Sequence, residues 1–435
     1  MSRNGSARGV AISLIGNALP PLVGLLTAPI LALSLGVEGR GEVAAATAPL
    51  LLATSIATLG LPEAVTFFVA RGHARVTNFV IKVALVLTAA GALGSALINL
   101  SAYSLASGDR SLASLIGLAS VALVPALLLA LLRGRAVGQE AWWFVTFERI
   151  INSLTRLGLV GVFAISGSLD VFTATISIAV SSFVGIVVYA FLRSTKRPAA
   201  DTIYSSPTFR TVTSYSSRMW IGSLGGILLS RLDQSIMLPL AGARELGLYA
   251  VAATVSEMIL VFNSSVNTVT FSTQSRENDL NRLSTAARLS TLVTLVSALV
   301  VAGLSFWALP FFFGPGFSDA IAPTLILLAA VVAGNPGSLA GTGLSARGRP
   351  GLRSASLLVA VFANLAAFLL LTPLLGAIGA ALATLLGNVV AGWLNVVWLR
   401  HHFGGRISDF FGVRASDIVE LRTLVTRLTE RIRRS

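Results

Sequence analysis

The apolar residues of this chain come in blocks of roughly twenty, and that grouping excludes most folds at once. The blocks lie near 10–35, 43–69, 79–105, 111–132, 142–166, 171–193, 214–241, 246–272, 284–312, 319–345, 354–374 and 376–399. A helix needs about 20 such residues to cross the ~30 Å hydrocarbon core of a bilayer. Charged residues make up 11% of the chain, against about 25% in a soluble domain. The chain is therefore an integral membrane protein. A membrane barrel would need strands of ~10 alternating residues, and the sequence offers none. The expectation is an all-α, polytopic protein with twelve transmembrane helices. The first block follows the basic stretch "MSRNGSARG" and is longer than the ~7–15 residues of a signal-peptide core, so it reads as a retained span. Connectors such as "VEGRGE", "ASGDRS", "ISGSLD" and "FGPGFSD" are short and turn-rich.

Arginine and lysine orient the spans, because cytoplasmic loops carry the basic excess. With a cytoplasmic N-terminus and strict alternation, 25 of the 32 basic residues fall inside and three, Arg40, Arg110 and Arg244, fall outside. One span more or fewer in the middle would invert everything downstream and spoil the split. Both termini are thus expected in the cytoplasm of a bacterial cell, with the spans in its inner membrane. Basic residues spread along one membrane face, rather than gathered in a patch, do not suggest nucleic acid. The chain has no cysteine, so disulfides, zinc–thiolate sites and thiol catalysis are excluded. No outer connector is long enough to hold a catalytic domain.

The longest central connector, "RSTKRPAADTIYSSPTFRT", divides the spans six and six. The expected units are a six-helix bundle at 1–193, a cytoplasmic linker at 194–213, a second bundle at 214–401 and a basic tail at 402–435. The halves look related. "LGVEGRGEVAAATA" (35–48) aligns with "LAGARELGLYAVAAT" (240–254) once one residue is gapped, and "RGR" follows the fourth span of each half at Arg133–Arg135 and Arg347–Arg349. Six is even, so both halves insert the same way up. This is a parallel repeat about the membrane normal, a transporter pattern. The expected architecture is two pseudo-symmetric bundles around a central cavity.

Charges inside the spans carry the functional signal. A charged side chain at mid-bilayer costs about 2.5–3.5 kcal/mol on insertion scales. Arg231 and Asp233 sit within the otherwise apolar "GGILLSRLDQSIMLPLAG". At ~100° per residue they point roughly 200° apart, so each needs a partner on another helix, water or a ligand. In the fifth span Arg149, Asn152, Ser153 and Arg156 share one face, with Glu148 beside them. The eighth carries Glu257, Asn263 and Asn267. Arg218, Glu63 and Glu148 lie near inner ends, where long side chains reach headgroups. Arg149, Asn152, Arg156, Arg218, Arg231, Asp233, Glu257, Asn263 and Asn267 are the candidate substrate-cavity residues. Arg156, Arg231 and Glu257 sit nearest the middle of their spans. A purely structural role, locking helices together, is the competing reading for each. Pro20, Pro21 and Pro29 in the first span are candidate gate residues, because proline frees carbonyls and bends helices. His73, His401 and His402 have no acidic neighbour at ligand spacing, so no metal or other cofactor is expected.

The tail "SDIVELRTLVTRLTERIRR" repeats apolar residues every three or four positions among arginines. It reads as a basic amphipathic helix able to lie on anionic lipid or to pair as a coiled coil.

Two stretches resemble bacterial oligosaccharide flippases of the multidrug/oligosaccharidyl-lipid/polysaccharide superfamily. They are "LSLGVEGRGEVAAATAPLLLATSIATLGLPEAVTFFVARG" (33–72) and "RLDQSIMLPLAGARELGLYAVAATVSE" (231–257); "LLGAIGAALATLLGN" (374–388) is similar to the family's last span. The resemblance implies flipping of a polyprenyl-diphosphate-linked glycan to the outer leaflet, with membrane lipids and polysaccharide-assembly proteins as partners. Arg156 and Arg231 are then expected to contact the diphosphate or anionic sugars, since guanidinium forks suit phosphate. Flippases of the peptidoglycan precursor carry arginines in the first span; this chain has none there, which points to another glycan. The alternative within the superfamily is ion-coupled multidrug extrusion. Such exporters often use an acid in the first span, absent here, although Glu257 or Asp233 could bind Na⁺ or H⁺. A membrane glycan-assembly enzyme and a non-transporting scaffold are the remaining readings.

Overall fold

A computed structural model describes residues 3–70, 76–192, 209–277, 279–412 and 414. The amphipathic tail helix at 416–434 and most of the 194–213 linker lie outside the described residues, as do the side chains of Asn17 and Arg218. Helices account for nearly everything else, and no strand occurs among the described residues.

In chain order the helices are α1 (Arg3–Ala57), α2 (Leu61–Ala70), α3 (Val76–Leu105), α4 (Arg110–Ser120), α5 (Leu123–Gly138), α6 (Trp142–Ile165), α7 (Val171–Ser181), α8 (Phe209–Ile236), α9 (Leu238–Glu277), α10 (Leu280–Phe313), α11 (Ile321–Ala346) and α12 (Pro350–Phe403). Short 3₁₀ turns follow α7, α10 and α12. Seven helical stretches are long and apolar enough to cross a bilayer, and the bent α8–α9 pair makes eight. Two of them, α1 and α12, run for 55 and 54 residues. At 1.5 Å per residue each would span about 80 Å, more than twice the hydrocarbon core. Neither can cross once as a straight rod, and each is two helices joined at a kink. The fifth block, α6, stays outside the apolar set because it carries Glu148, Arg149 and Arg156. Large apolar side chains such as Leu22, Leu100, Ile165, Phe191 and Leu374 face outward, as the lipid-facing surface of a multi-pass membrane protein must.

The kinks fall on glycines with left-handed φ: Gly36 (φ 68°) in α1, Gly242 (φ 85°) in α9 and Gly376 (φ 56°) in α12. An L-residue there meets its own carbonyl. The three candidate gate prolines, Pro20, Pro21 and Pro29, sit within helical backbone, and the non-helical residue in α1 is Gly36. A proline removes one donor yet keeps a helical φ, so a helix can run through it; a reversal needs φ > 0. The Gly376 kink is also buttressed. Glu245 Oε2 accepts the backbone N–H of Ala377 at 2.8 Å, and a Cβ on residue 376 would lie 2.2 Å from that oxygen, whereas one on residue 36 meets nothing within 4 Å. Gly376→Ala is expected to destabilise the purified protein by about 2–3 kcal/mol, from left-handed strain plus loss of the cap. Gly36→Ala carries only the strain, about 1–2 kcal/mol. Thermal unfolding of both variants in detergent checks the order; equal shifts would remove the buttress.

The two halves meet along the second part of α1 and α2. At one end, the segments aligned by sequence lie against each other. A Cβ on Gly41 would fall 1.8 Å from the Ala243 carbonyl oxygen, and one on Gly247 would fall 2.1 Å from that of Val37. Gly36 to Gly41 and Gly242 to Gly247 have the same spacing, so the contact is near-symmetric. Small residues permit this backbone approach, which is how helices associate where water supplies no hydrophobic drive. At the other end, Trp220 Nε1 donates to the Ile56 carbonyl at 2.7 Å, and Tyr215 stacks on Phe67 with ring centroids 4.6 Å apart.

Candidate functional site

Two polar cavities lie inside the helical shell, one in each half, and their chemistry differs. The first, of about 390 Å³, is lined by Pro20, Leu51, Arg133, Glu148, Arg149, Asn152, Ser153 and Arg156 among others. The face of α6 read from the sequence is its wall. The helical spacing of 149, 152, 153 and 156 puts those side chains on one side, as expected. Arg149 and Arg156 are about 10 Å apart along the axis.

Glu148 anchors this wall. It is fully buried rather than reaching toward headgroups. Arg133 binds it with both prongs, Nε to Oε2 at 2.8 Å and Nη2 to Oε1 at 2.9 Å. Asn152 Nδ2 donates to Oε1 at 2.8 Å and the Tyr189 hydroxyl to Oε2 at 3.2 Å. Asn152 Oδ1 in turn accepts the Gly185 N–H at 2.6 Å. Both ends of the Asn152 carboxamide are therefore engaged in bracing α6 against the turn after α7. Glu63, by contrast, is exposed near its helix start.

By its lining side chains the cavity carries three arginines, Arg133, Arg149 and Arg156, against the one carboxylate of Glu148. A fourth guanidinium lies next to it without lining the cavity. Arg40, read from the sequence as part of an outer connector, is in the helix that begins after the Gly36 kink and sits beside Arg156, close enough for the two like charges to repel. The Nε atoms of Arg40 and Arg156 are buried with no hydrogen-bond partner, and no ion pair engages either residue among the described residues. Two like charges held this close, each with a buried Nε–H unanswered, are costly, and an anion beside them is the direct remedy.

The second cavity, of about 380 Å³, lies among α8, α9, α11 and α12 and includes Asp233, Gln234, Tyr249, Glu257, Asn263, Asn267, Asn335, Thr384 and Asn388. Arg231 and Asp233 turn to different partners. Asp233 is buried and accepts the Tyr249 hydroxyl and the Gln234 N–H; Tyr249 also meets Thr384 Oγ1 at 3.1 Å. Arg231 Nη1 lies 3.8 Å from Glu257 Oε1, both side chains about two-fifths exposed. Asn263 Oδ1 accepts from Thr294 at 2.8 Å, and Asn267 bridges Thr342 and Ser338 at 2.7 and 3.3 Å. These amides tie α9 to α10 and α11 while edging the cavity.

The structure thus divides the candidate residues into two groups. Arg149, Asn152, Arg156 and Pro20 share the first cavity; Asp233, Glu257, Asn263 and Asn267 share the second, with Arg231 paired to Glu257. Arg218 lies on α8 with its side chain outside the described residues. Arg40, Tyr249, Asn335 and Asn388 were missed by sequence reasoning. The two asparagines lie in apolar spans, where an intramembrane polar residue is itself a signal. Among the described residues no cluster of three metal-ligating side chains occurs.

Known structures share this fold. A multidrug resistance MATE family transporter of the MOP superfamily, solved in an inward-facing conformation, superposes with a TM-score of 0.66 at 17% identity, over 92% of this chain and 98% of that one. A lipid II flippase, MurJ, in an inward closed conformation gives 0.67 at 13% identity, over 96% and 93%. A MOP superfamily transporter from Pyrococcus furiosus, described as having a binding pocket of reverse polarity, gives 0.59 at 16% identity, over 94% and 96%. No curated protein matches the sequence. The fold is that of MOP-superfamily transporters and flippases. The profile of the family described as "Polysaccharide biosynthesis protein" matches residues 6–277, and the chain belongs to that family.

Proposed function

We propose that the protein flips a polyprenyl-diphosphate-linked oligosaccharide across the bacterial cytoplasmic membrane by alternating access, for surface polysaccharide export. In this reading twelve spans form two six-helix bundles with both termini inside. The observation that carries it is the pair Arg40 and Arg156, set beside each other next to the first cavity, whose Nε atoms are buried with no hydrogen-bond partner among the described residues. A diphosphate offers several acceptor oxygens and two or more negative charges. Guanidinium groups bind such oxygens in pairs. The family match and the likeness to a lipid II flippase support a lipid-linked substrate. Asp233 and Glu257 are the acids that would carry a coupling H⁺ or Na⁺. Assembly proteins would receive the flipped product at the outer face.

Those same two acids favour a second reading, extrusion of cationic drugs, and the MATE-like fold is compatible with it. Deleting the gene separates the two. Under the flippase reading, lipid-linked glycan accumulates on the inner leaflet and surface polysaccharide falls, while drug susceptibility stays at the parental level. Raised susceptibility with normal glycan export would replace the flippase by an exporter.

A further inference from the structure

The second cavity has a chemistry that the diphosphate does not need. Its hydrogen-bonding groups without a partner among the described residues are carboxamides. Asn335 is 2% exposed. Its Nδ2 donates to Ser290 and Thr291 at 3.1 and 3.0 Å, yet its Oδ1 is buried at the cavity with no partner. The side chains of Gln234 and Asn388 line the same wall and make no hydrogen bond among the described residues. Gly334 keeps the space beside Asn388 open, since a Cβ there would lie 3.2 Å from the Asn388 Cβ. A carboxamide both donates and accepts, as does a sugar hydroxyl, and the volume lies within the roughly 300–1,000 Å³ of small-molecule sites. The charges here are those of Asp233 and Glu257, with Arg231 at the edge offsetting one of them. The two halves therefore oppose each other: a cationic cavity in the first, an amide-rich and acid-bearing one in the second.

Resting on the flippase reading, we infer that the second cavity holds the glycan, and that it selects sugars without acidic groups. Hydroxyl and N-acetyl groups satisfy Asn335, Gln234 and Asn388. A uronic or other acidic sugar meets Asp233 and Glu257 and is rejected. The substrate's two chemical parts are thus read by different halves, so the glycan can be discriminated without altering grip on the diphosphate.

The test uses the full chain in lipid nanodiscs and three short-tailed probes: farnesyl diphosphate, farnesyl diphosphate linked to N-acetylglucosamine, and farnesyl diphosphate linked to glucuronic acid. The neutral sugar is expected to tighten binding at least about tenfold over farnesyl diphosphate, and the acidic sugar to bind about tenfold more weakly than the neutral one, each a difference of about 1.4 kcal/mol. Asn388→Leu and Gln234→Leu should each shrink the neutral-sugar gain, and Glu257→Gln should shrink the penalty on the acidic sugar. The readout is a ratio of affinities within each protein, so a variant that folds in lower yield still reports. A neutral sugar that adds nothing, or an acidic sugar that binds as well as the neutral one, overturns the inference. Failure of farnesyl diphosphate itself to bind the wild-type protein, with sugar probes equally silent, overturns the flippase reading instead.

Discussion

Replacing Arg40 and Arg156 together by glutamine is expected to reduce glycan flipping by about 100-fold or more, the loss of two charge-assisted hydrogen bonds of about 1.5–3 kcal/mol each. The same variant is expected to unfold at a higher temperature than the wild type. The reason is electrostatic. In the unliganded protein the two guanidinium groups repel each other, and no ion pair offsets them among the described residues. Removing the charges relieves repulsion and desolvation worth on the order of 1 kcal/mol. Opposite signs for stability and transport mark a ligand site; a residue that merely locks helices would lose both together. Lysine at both positions keeps the charge but loses the planar fork, and should fall between glutamine and arginine in flipping. The measurement pairs thermal unfolding of purified protein with export in complemented null cells. A lowered melting temperature with a proportionate loss of transport would assign the pair to structure, and undiminished export would remove it from the site.

How much of this was legible beforehand depends on which physical rule governs each feature. Hydropathy made the all-helical, multi-pass class legible, because lipid enforces backbone satisfaction and leaves little choice. The α6 stripe was legible because 3.6-residue periodicity alone decides which side chains share a face. So was the divergence of Arg231 and Asp233, since two residues apart on a helix cannot face each other. Their partners, Glu257 and Tyr249, come from another helix, and spacing carries no such information. Arg40 was illegible for a different reason. Its neighbours in "VEGRGE" read as a solvent loop, and whether it faces water or Arg156 depends on where the helix kinks. That point is set by one left-handed glycine four residues earlier. The prolines of the first span drew attention as gate residues, but proline tolerates helical φ and the kink does not. Glu148 was similarly ambiguous. Its depth in sequence placed it near a headgroup layer, and only the fold brings Arg133 over it.

The contact between the halves leads to the other large expected effect, at Gly41. In the proposed orientation the Gly36–Gly41 and Gly242–Gly247 segments lie at the outer face. Alternating access requires that this face open once per cycle and seal again. Here the seal is backbone against backbone: a Cβ at 41 would fall 1.8 Å from the carbonyl oxygen of Ala243, and 2.9 Å from the backbone N of Gly247. Main-chain atoms of a helix cannot rotate aside as a side-chain tip would, so Gly41→Leu must part the segments. Overpacking of this kind costs about 1–3 kcal/mol in a packed core, here charged only to the closed state. Transfer of that much free energy from one conformer shifts the open-to-closed ratio by about 5- to 150-fold. Flipping should therefore all but stop, with the protein still folded and held open at the outer end. Because the chain has no native cysteine, one thiol introduced at Ser153, on the wall of the first cavity, reports the state directly. A membrane-impermeant maleimide added outside should label it slowly in the otherwise unaltered protein and rapidly with Gly41→Leu. Gly24→Leu is the control, since a Cβ there meets nothing within 4 Å; it should change neither labelling nor export. Slow labelling and normal export in the Gly41 variant would mean that the two halves do not part along this seam, and the outer gate would have to be sought elsewhere.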